Sequence, residues 1–170
     1  MTLAELNAMD REAFVAALGW VFEHSPWVAE RAWSARPFAS AAALHAAMVQ
    51  AVAGAAPEDQ LSLIRAHPDL GTRARLSAAS AAEQTNAGLD SLDAGEFERL
   101  HRLNTAYRER FGFPFLFAVR GSTRQQILAA LESRVHADPQ AEQAVALEQI
   151  YRIARFRLED FLNANLREWK

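Results

Sequence analysis

The sequence contains no cysteine. That excludes disulfides, thiolate zinc sites, iron–sulfur clusters and a cysteine nucleophile, and it suits a reducing compartment. No apolar run reaches the roughly 18 residues of a membrane helix, and Met1 to Glu23 carries charges throughout, unlike a signal peptide's basic start and unbroken apolar stretch. There is no His-x-x-x-His or His-Glu-x-x-His pair and no acidic cluster, so no protein-bound metal is expected. Positive charge is not in excess either. A net charge of −3 and a pI near 6 give no broad field for nucleic acid or an anionic membrane, so an anion would have to be held by individually placed arginines. The expectation is a cytoplasmic protein that binds neither nucleic acid nor membrane.

Apolar side chains are plentiful. Of 170 residues 51% are hydrophobic, including ten Phe and four Trp, and 23% are charged, which is ordinary for a packed soluble chain. A chain of this length is expected to form one domain over residues 1–170. Apolar residues recur at helical spacing: Phe14, Leu18, Val21 and Phe22 after the potential cap Asp10; Leu44, Met48 and Val52 after Ser40; Leu61 and Ile64 after Pro57. Further stripes run through Phe97, Leu100, Leu103 and Tyr107, through Ile127, Leu128 and Leu131, and through Val145, Ile150, Ala154, Leu158 and Phe161. Prolines at 26, 37, 57, 68 and 139 fall between the stripes, where they disfavour a helical residue before them. The predicted fold is all-α: a single-domain multi-helix bundle with one short extended segment around 111–119, where Gly112 and Pro114 interrupt an otherwise apolar run.

Four segments can carry chemistry. His67 stands where a helix should end before Pro68, and its imidazole titrates near neutrality as acid–base catalysis requires; a last-turn histidine can equally serve the helix carbonyls and dipole. Ser80, Glu83 and Gln84 stand at i, i+3 and i+4 and so share a helix face, although Ser-x-x-Glu is also a capping box that would start a helix at Ser80. Arg157 lies on the stripe of Ile150, Ala154 and Phe161. A guanidinium there needs a carboxylate, from the protein or from a ligand. The run Phe115, Leu116, Phe117, Ala118 and Val119 has main-chain groups that must find partners, either in a planar amide-rich ligand or behind a hydrophobic plug. His24, His45, His101 and His136 read as surface or half-buried residues.

Taken together and in order, these segments resemble the OHCU (2-oxo-4-hydroxy-4-carboxy-5-ureidoimidazoline) decarboxylase family of urate breakdown. The resemblance is carried by His67-Pro68-Asp69-Leu70, by Leu76-Ser77-x-x-Ser80-x-x-Glu83-Gln84 with Ala87-Gly88-Leu89, and by Leu103-Asn104-x-x-Tyr107-x-x-x-Phe111-Gly112-Phe113-Pro114-Phe115. It continues through Arg124 and Ile127-Leu128 to Arg157-Leu158, nearly the whole chain. It implies an all-α fold, decarboxylation of OHCU to S-allantoin, no metal or organic cofactor, and a homodimer. By position His67 matches the family's catalytic histidine, Glu83 its partner acid and Arg157 the arginine close to the substrate. Pro68, Ser80 to Gln84 and Phe115 to Val119 match the ligand-binding segments. The implied partner is the small-molecule ureidoimidazoline, with urate oxidase and hydroxyisourate hydrolase activities upstream. Ser77 replaces a frequent Thr, and Arg167-Glu168-Trp169-Lys170 is not the peroxisomal tripeptide of some members.

Two other readings remain. A hydrolase or other lyase acting on a neighbouring ureide would want a metal cluster or a nucleophile beside a base, and the sequence shows neither. A non-catalytic helical ligand-binding or interaction domain needs only the stripes, and predicts that His67 can be changed freely.

Overall fold

The computed structural model describes residues 1–72, 76–162 and 169. Among them every regular element is helical, and no helix is long and apolar enough to cross a membrane. The chain forms two compact units, one of Met1–Ala66 with the chain from Tyr151 onward, the other of His67–Ile150.

The first unit starts with α1 (Leu3–Ala8), whose Thr2 and Glu5 form a reciprocal capping box. Next come α2 (Arg11–Leu18), capped by Asp10, and α3 (Trp27–Ala32), which runs into a short 3-10 turn at Trp33–Ala35. After it, α4 (Ala41–Ala53) is capped by Ser40, and α5 (Pro57–Arg65) begins on a proline, whose missing N–H costs nothing in a first turn. The stripes face inward: Leu6, Phe14, Leu18, Leu44, Met48, Val52, Leu63 and Ile64 are all fully buried. Burial of each such side chain contributes about 1.5–3 kcal/mol.

One sequence expectation fails here. The stripe through Phe14 and Leu18 does not continue as helix to Val21 and Phe22, because α2 ends at Leu18. Gly19 packs against Pro26, and a Cβ on it would stand 2.7 Å from the Val15 carbonyl oxygen. Val21 and Phe22 are nevertheless buried, reaching the core from a turn.

The second unit contains α6 (Ala78–Asn86), α7 (Ala94–Phe111), α8 (Arg124–Arg134) and the first half of α9 (Pro139–Leu162), whose remainder belongs to the first unit. Asp93 with Glu96 and Thr123 with Gln126 form capping boxes on α7 and α8, and Asp138 accepts from Ala141 N–H at the start of α9. α7 ends at Gly112 with φ +75°, a left-handed conformation that glycine adopts without strain. Phe111 is therefore the last residue of α7, and the non-helical run begins after it rather than at it. From Phe113 to Val119 the chain is irregular, and of those seven side chains only Phe117 is not buried.

Candidate active site

His67 follows directly on the last turn of α5, outside any helix, and is buried. The turn it opens is tied down by three side chains. Gly71 N–H donates to Gln84 Oε1 at 2.8 Å, Asn104 Nδ2 donates to the Leu70 carbonyl at 2.9 Å, and Arg108 pairs with Asp69 at 2.9 Å. Gly71 has φ +68°, which strains any residue with a Cβ, and a Cβ there would stand 2.3 Å from Leu100 Cδ2, so the buried leucine side chain would have to shift. Sequence reasoning missed Asn104 and Arg108 as supports of this turn. Asn104 had a signal, an amide placed four residues from Leu100 and three from Tyr107 on an otherwise apolar stripe; Arg108 had none.

On α6 the cap is Ser77, whose Oγ accepts from Ser80 N–H at 3.2 Å. The alternative that Ser80 starts the helix is thereby corrected. With capping done three residues earlier, Ser80 sits in the first turn with its side chain buried beside Gln84, one helical turn on, while Glu83 lies half-buried at the edge of that face. The structure thus places two of the three polar residues inward and uses Gln84 to fasten the His67 turn. Pro68 is half-buried beside His67.

The run from Phe115 to Val119 is met by side chains of its own unit. Arg134 Nη1 donates to the Leu116 carbonyl at 2.5 Å, and Ala118 N–H donates to Gln149 Oε1 at 2.9 Å. The Phe115 ring meets Tyr107 edge-on at 5.4 Å and stacks with Phe117 at 5.9 Å. Tyr107 donates its hydroxyl to Glu142 Oε1 at 2.5 Å, and burial, followed by this bond to a carboxylate, raises its pKa well above the usual phenol value.

Arg157 belongs to the first unit and is buried, as its stripe requires. Its Nη2 donates to Glu23 Oε2 at 2.9 Å, and its Nη1 to the Trp20 and Val21 carbonyls at 3.3 Å each. The carboxylate it needs is therefore supplied by the protein, 134 residues away in sequence. Of the remaining histidines, His24, His101 and His136 are exposed. His45 is half-buried with Nε2 2.8 Å from the Tyr151 carbonyl, and burial lowers its pKa. Among the described residues no group of three His, Cys, Asp or Glu side chains could hold a metal ion.

Comparison with known proteins is consistent along the chain. The family model described as OHCU decarboxylase matches residues 7–159. The chain is 49% identical over 160 residues to 2-oxo-4-hydroxy-4-carboxy-5-ureidoimidazoline decarboxylase of Haloferax volcanii, covering 94% of this chain and 95% of that one. It is 47% identical to the uric acid degradation bifunctional protein PucL of Bacillus subtilis, over 95% of this chain but 33% of that longer protein. Among solved structures it resembles (S)-allantoin synthase with a TM-score of 0.77 and 34% identity, covering 95% of this chain and 54% of the other. From its motifs, its helical order and its likeness over nearly its full length, the chain belongs to the OHCU decarboxylase family.

Proposed function

We propose that the protein decarboxylates OHCU to S-allantoin, the third step of urate degradation, without metal or organic cofactor. What carries this reading is the family match over residues 7–159 together with a buried His67 in a turn fastened by Gln84. The substrate bears a carboxylate and a hydroxyl on one ring carbon, next to a ring C=N whose carbon carries the ureido group. When the carbon–carboxylate bond breaks, its electron pair forms a ring C=C and the imine electrons move onto nitrogen, which takes up a proton. The enol so formed becomes allantoin by losing its hydroxyl proton and gaining a proton at the ureido-bearing carbon. Substrate anion and one proton give allantoin and carbon dioxide. The substrate contains its own electron sink, so the protein has to supply orientation and proton transfer.

In this scheme neutral His67, oriented by Glu83, takes the hydroxyl proton and relieves the charge that builds as the carboxylate leaves. Protonation from one face sets the S configuration. Pro68, Ser80, Gln84 and the run 115–119 hold the ring and ureido group. Arg157 is assigned to a carbonyl of the substrate rather than to its carboxylate, because Glu23 already balances the guanidinium charge. The protein is further proposed to act as a homodimer in the cytoplasm, which sizing in solution and fractionation would check.

The Arg157–Glu23 pair and the Ser77 cap also fit a helical domain that only binds. One experiment separates the two. OHCU is generated in place from urate with urate oxidase and hydroxyisourate hydrolase, and circular dichroism follows optically active allantoin. Rapid formation of the S enantiomer is expected, with His67→Asn slowing it by about 10²–10⁴-fold at unchanged melting temperature. A fully active, folded His67→Asn variant would remove His67 from the mechanism, and product formed no faster than without protein would favour the binding domain.

A further inference from the structure

The run 115–119 is not part of a sheet, so side chains stand in for ladder partners. Leu116 C=O is taken by Arg134 and Ala118 N–H by Gln149, while Val119 C=O accepts from Ser122 N–H at 3.0 Å. Arg134 is itself fixed. Its Nε donates to Glu142 Oε1 at 2.6 Å, and its guanidinium lies 4.5 Å over the Phe115 ring. Glu142 is buried and also accepts from Tyr107. Glu142 and Gln149 stand two turns apart on α9, on the face that buries Ala146 and Ile150.

In a planar trans peptide the C=O of one residue and the N–H of the next point opposite ways. With Leu116 C=O turned to Arg134 and Ala118 N–H to Gln149, the N–H and C=O of Phe117 make an edge turned away from those two side chains. Among the described residues no group of the chain meets that N–H or C=O. A donor and an acceptor on one residue match the N–H and C=O of a cyclic amide or ureide.

We propose that Arg134 and Gln149 are positioning residues, which hold residues 116 and 118 so that the main-chain N–H and C=O of Phe117 are presented to a cyclic amide or ureide. As a statement about catalysis this rests on the decarboxylase reading above; as a statement about binding it does not. Neither residue lies in a segment that the resemblance assigns to the ligand.

The test compares wild type with Gln149→Leu, Gln149→Glu and Arg134→Lys. Gln149→Leu removes the acceptor for Ala118 N–H, Gln149→Glu keeps an acceptor oxygen, and Arg134→Lys keeps the charge beside Glu142 but loses the fork that reaches Leu116. Steady-state kinetics should show KM for OHCU raised about tenfold in Gln149→Leu and Arg134→Lys, the size of one lost hydrogen bond, with kcat within about threefold and KM restored in Gln149→Glu. Amide hydrogen exchange supplies a readout free of turnover. Ala118 N–H should exchange faster in Gln149→Leu, and hydantoin, a plain cyclic ureide, should protect Phe117 N–H in wild type and less in that variant. Folded variants with unchanged KM, unchanged Ala118 exchange and no hydantoin effect at Phe117 would overturn the proposal. A wild type inactive on OHCU, yet protected at Phe117 by hydantoin, would overturn the decarboxylase reading and support the assignment of the edge.

Discussion

Substituting Glu23 tests how the buried arginine is stabilised. Glu23 and Arg157 are 2% and 4% exposed, and their ion pair measures 2.9 Å. Glu23→Ala would take the paired carboxylate from a buried guanidinium that has little water to turn to. Breaking a buried pair at one partner costs about 3–5 kcal/mol. Here the Trp20 and Val21 carbonyls, at 3.3 Å, still accept from the same guanidinium, so the lower part of that range applies, about 3 kcal/mol. For a chain of this size each kcal/mol moves the melting temperature by about 2–4 °C, which predicts a fall near 10 °C. Arg157→Met alone takes the guanidinium from the buried carboxylate and should cost a similar amount. The double variant, with neither charge left, should lose less than the sum of the singles by about 2 kcal/mol or more. Urea denaturation followed by circular dichroism measures all four corners of the cycle. Glu23→Ala within about 1 kcal/mol of wild type, or singles that simply add, would refute the reasoning, because the pair would then behave as an exposed one.

Two further predictions concern the turn at Gly71 and the environment of His45. Gly71→Ala should cost about 2–4 kcal/mol, from a left-handed φ imposed on alanine and from overpacking against buried Leu100; thermal melting checks this, and activity should fall further than stability because the same turn carries His67. Burial holds the His45 pKa below its ordinary 6.5. The unfolded chain then binds the extra proton first, so stability is full above about pH 6.5 and declines as pH falls from there toward the folded-state value. Melting temperatures from pH 8 to about pH 5 should show this decline in wild type and a shallower one in His45→Gln.

How much was legible in the sequence depended on how far each signal reached along the chain. α4, α7, α8 and α9 are long enough to show repeated turns of apolar stripe, and a local cap or proline marks where each begins. α1 and α3 have six residues each, too few for a periodic pattern, and neither was foreseen; the Thr2–Glu5 box was the available sign of α1. The stripe into Val21 and Phe22 misled because burial persists where helix does not, and periodicity reports burial. Ser77 and Ser80 sit one turn apart, so a serine-based cap could be set in either register. Among the candidate site residues, His67, Ser80 and Gln84 stand out in the sequence because each is an oddity in its local context. The partners of Arg157 and of the 115–119 run could not. Glu23, Arg134 and Gln149 look like ordinary helix or turn residues, and only the folded chain brings Glu23 across 134 positions and Gln149 across 31.

The order of the two units along the chain has a consequence for synthesis. Residues 67–150 form a unit that is contiguous in sequence, whereas the other unit is divided between the first 66 residues and the chain after residue 150. As the protein leaves the ribosome, the contiguous unit has all its parts before the divided one does. Glu23 emerges early but meets Arg157 only once the segment after residue 150 has been made. Until then α1 to α5 lack the α9 segment that carries Ala154, Arg157 and Leu158, and the apolar packing of their unit is incomplete. A ribosome stalled between codons 100 and 150 should therefore display a nascent chain whose first 66 residues are protease-sensitive, and protection should appear only once α9 has cleared the exit tunnel.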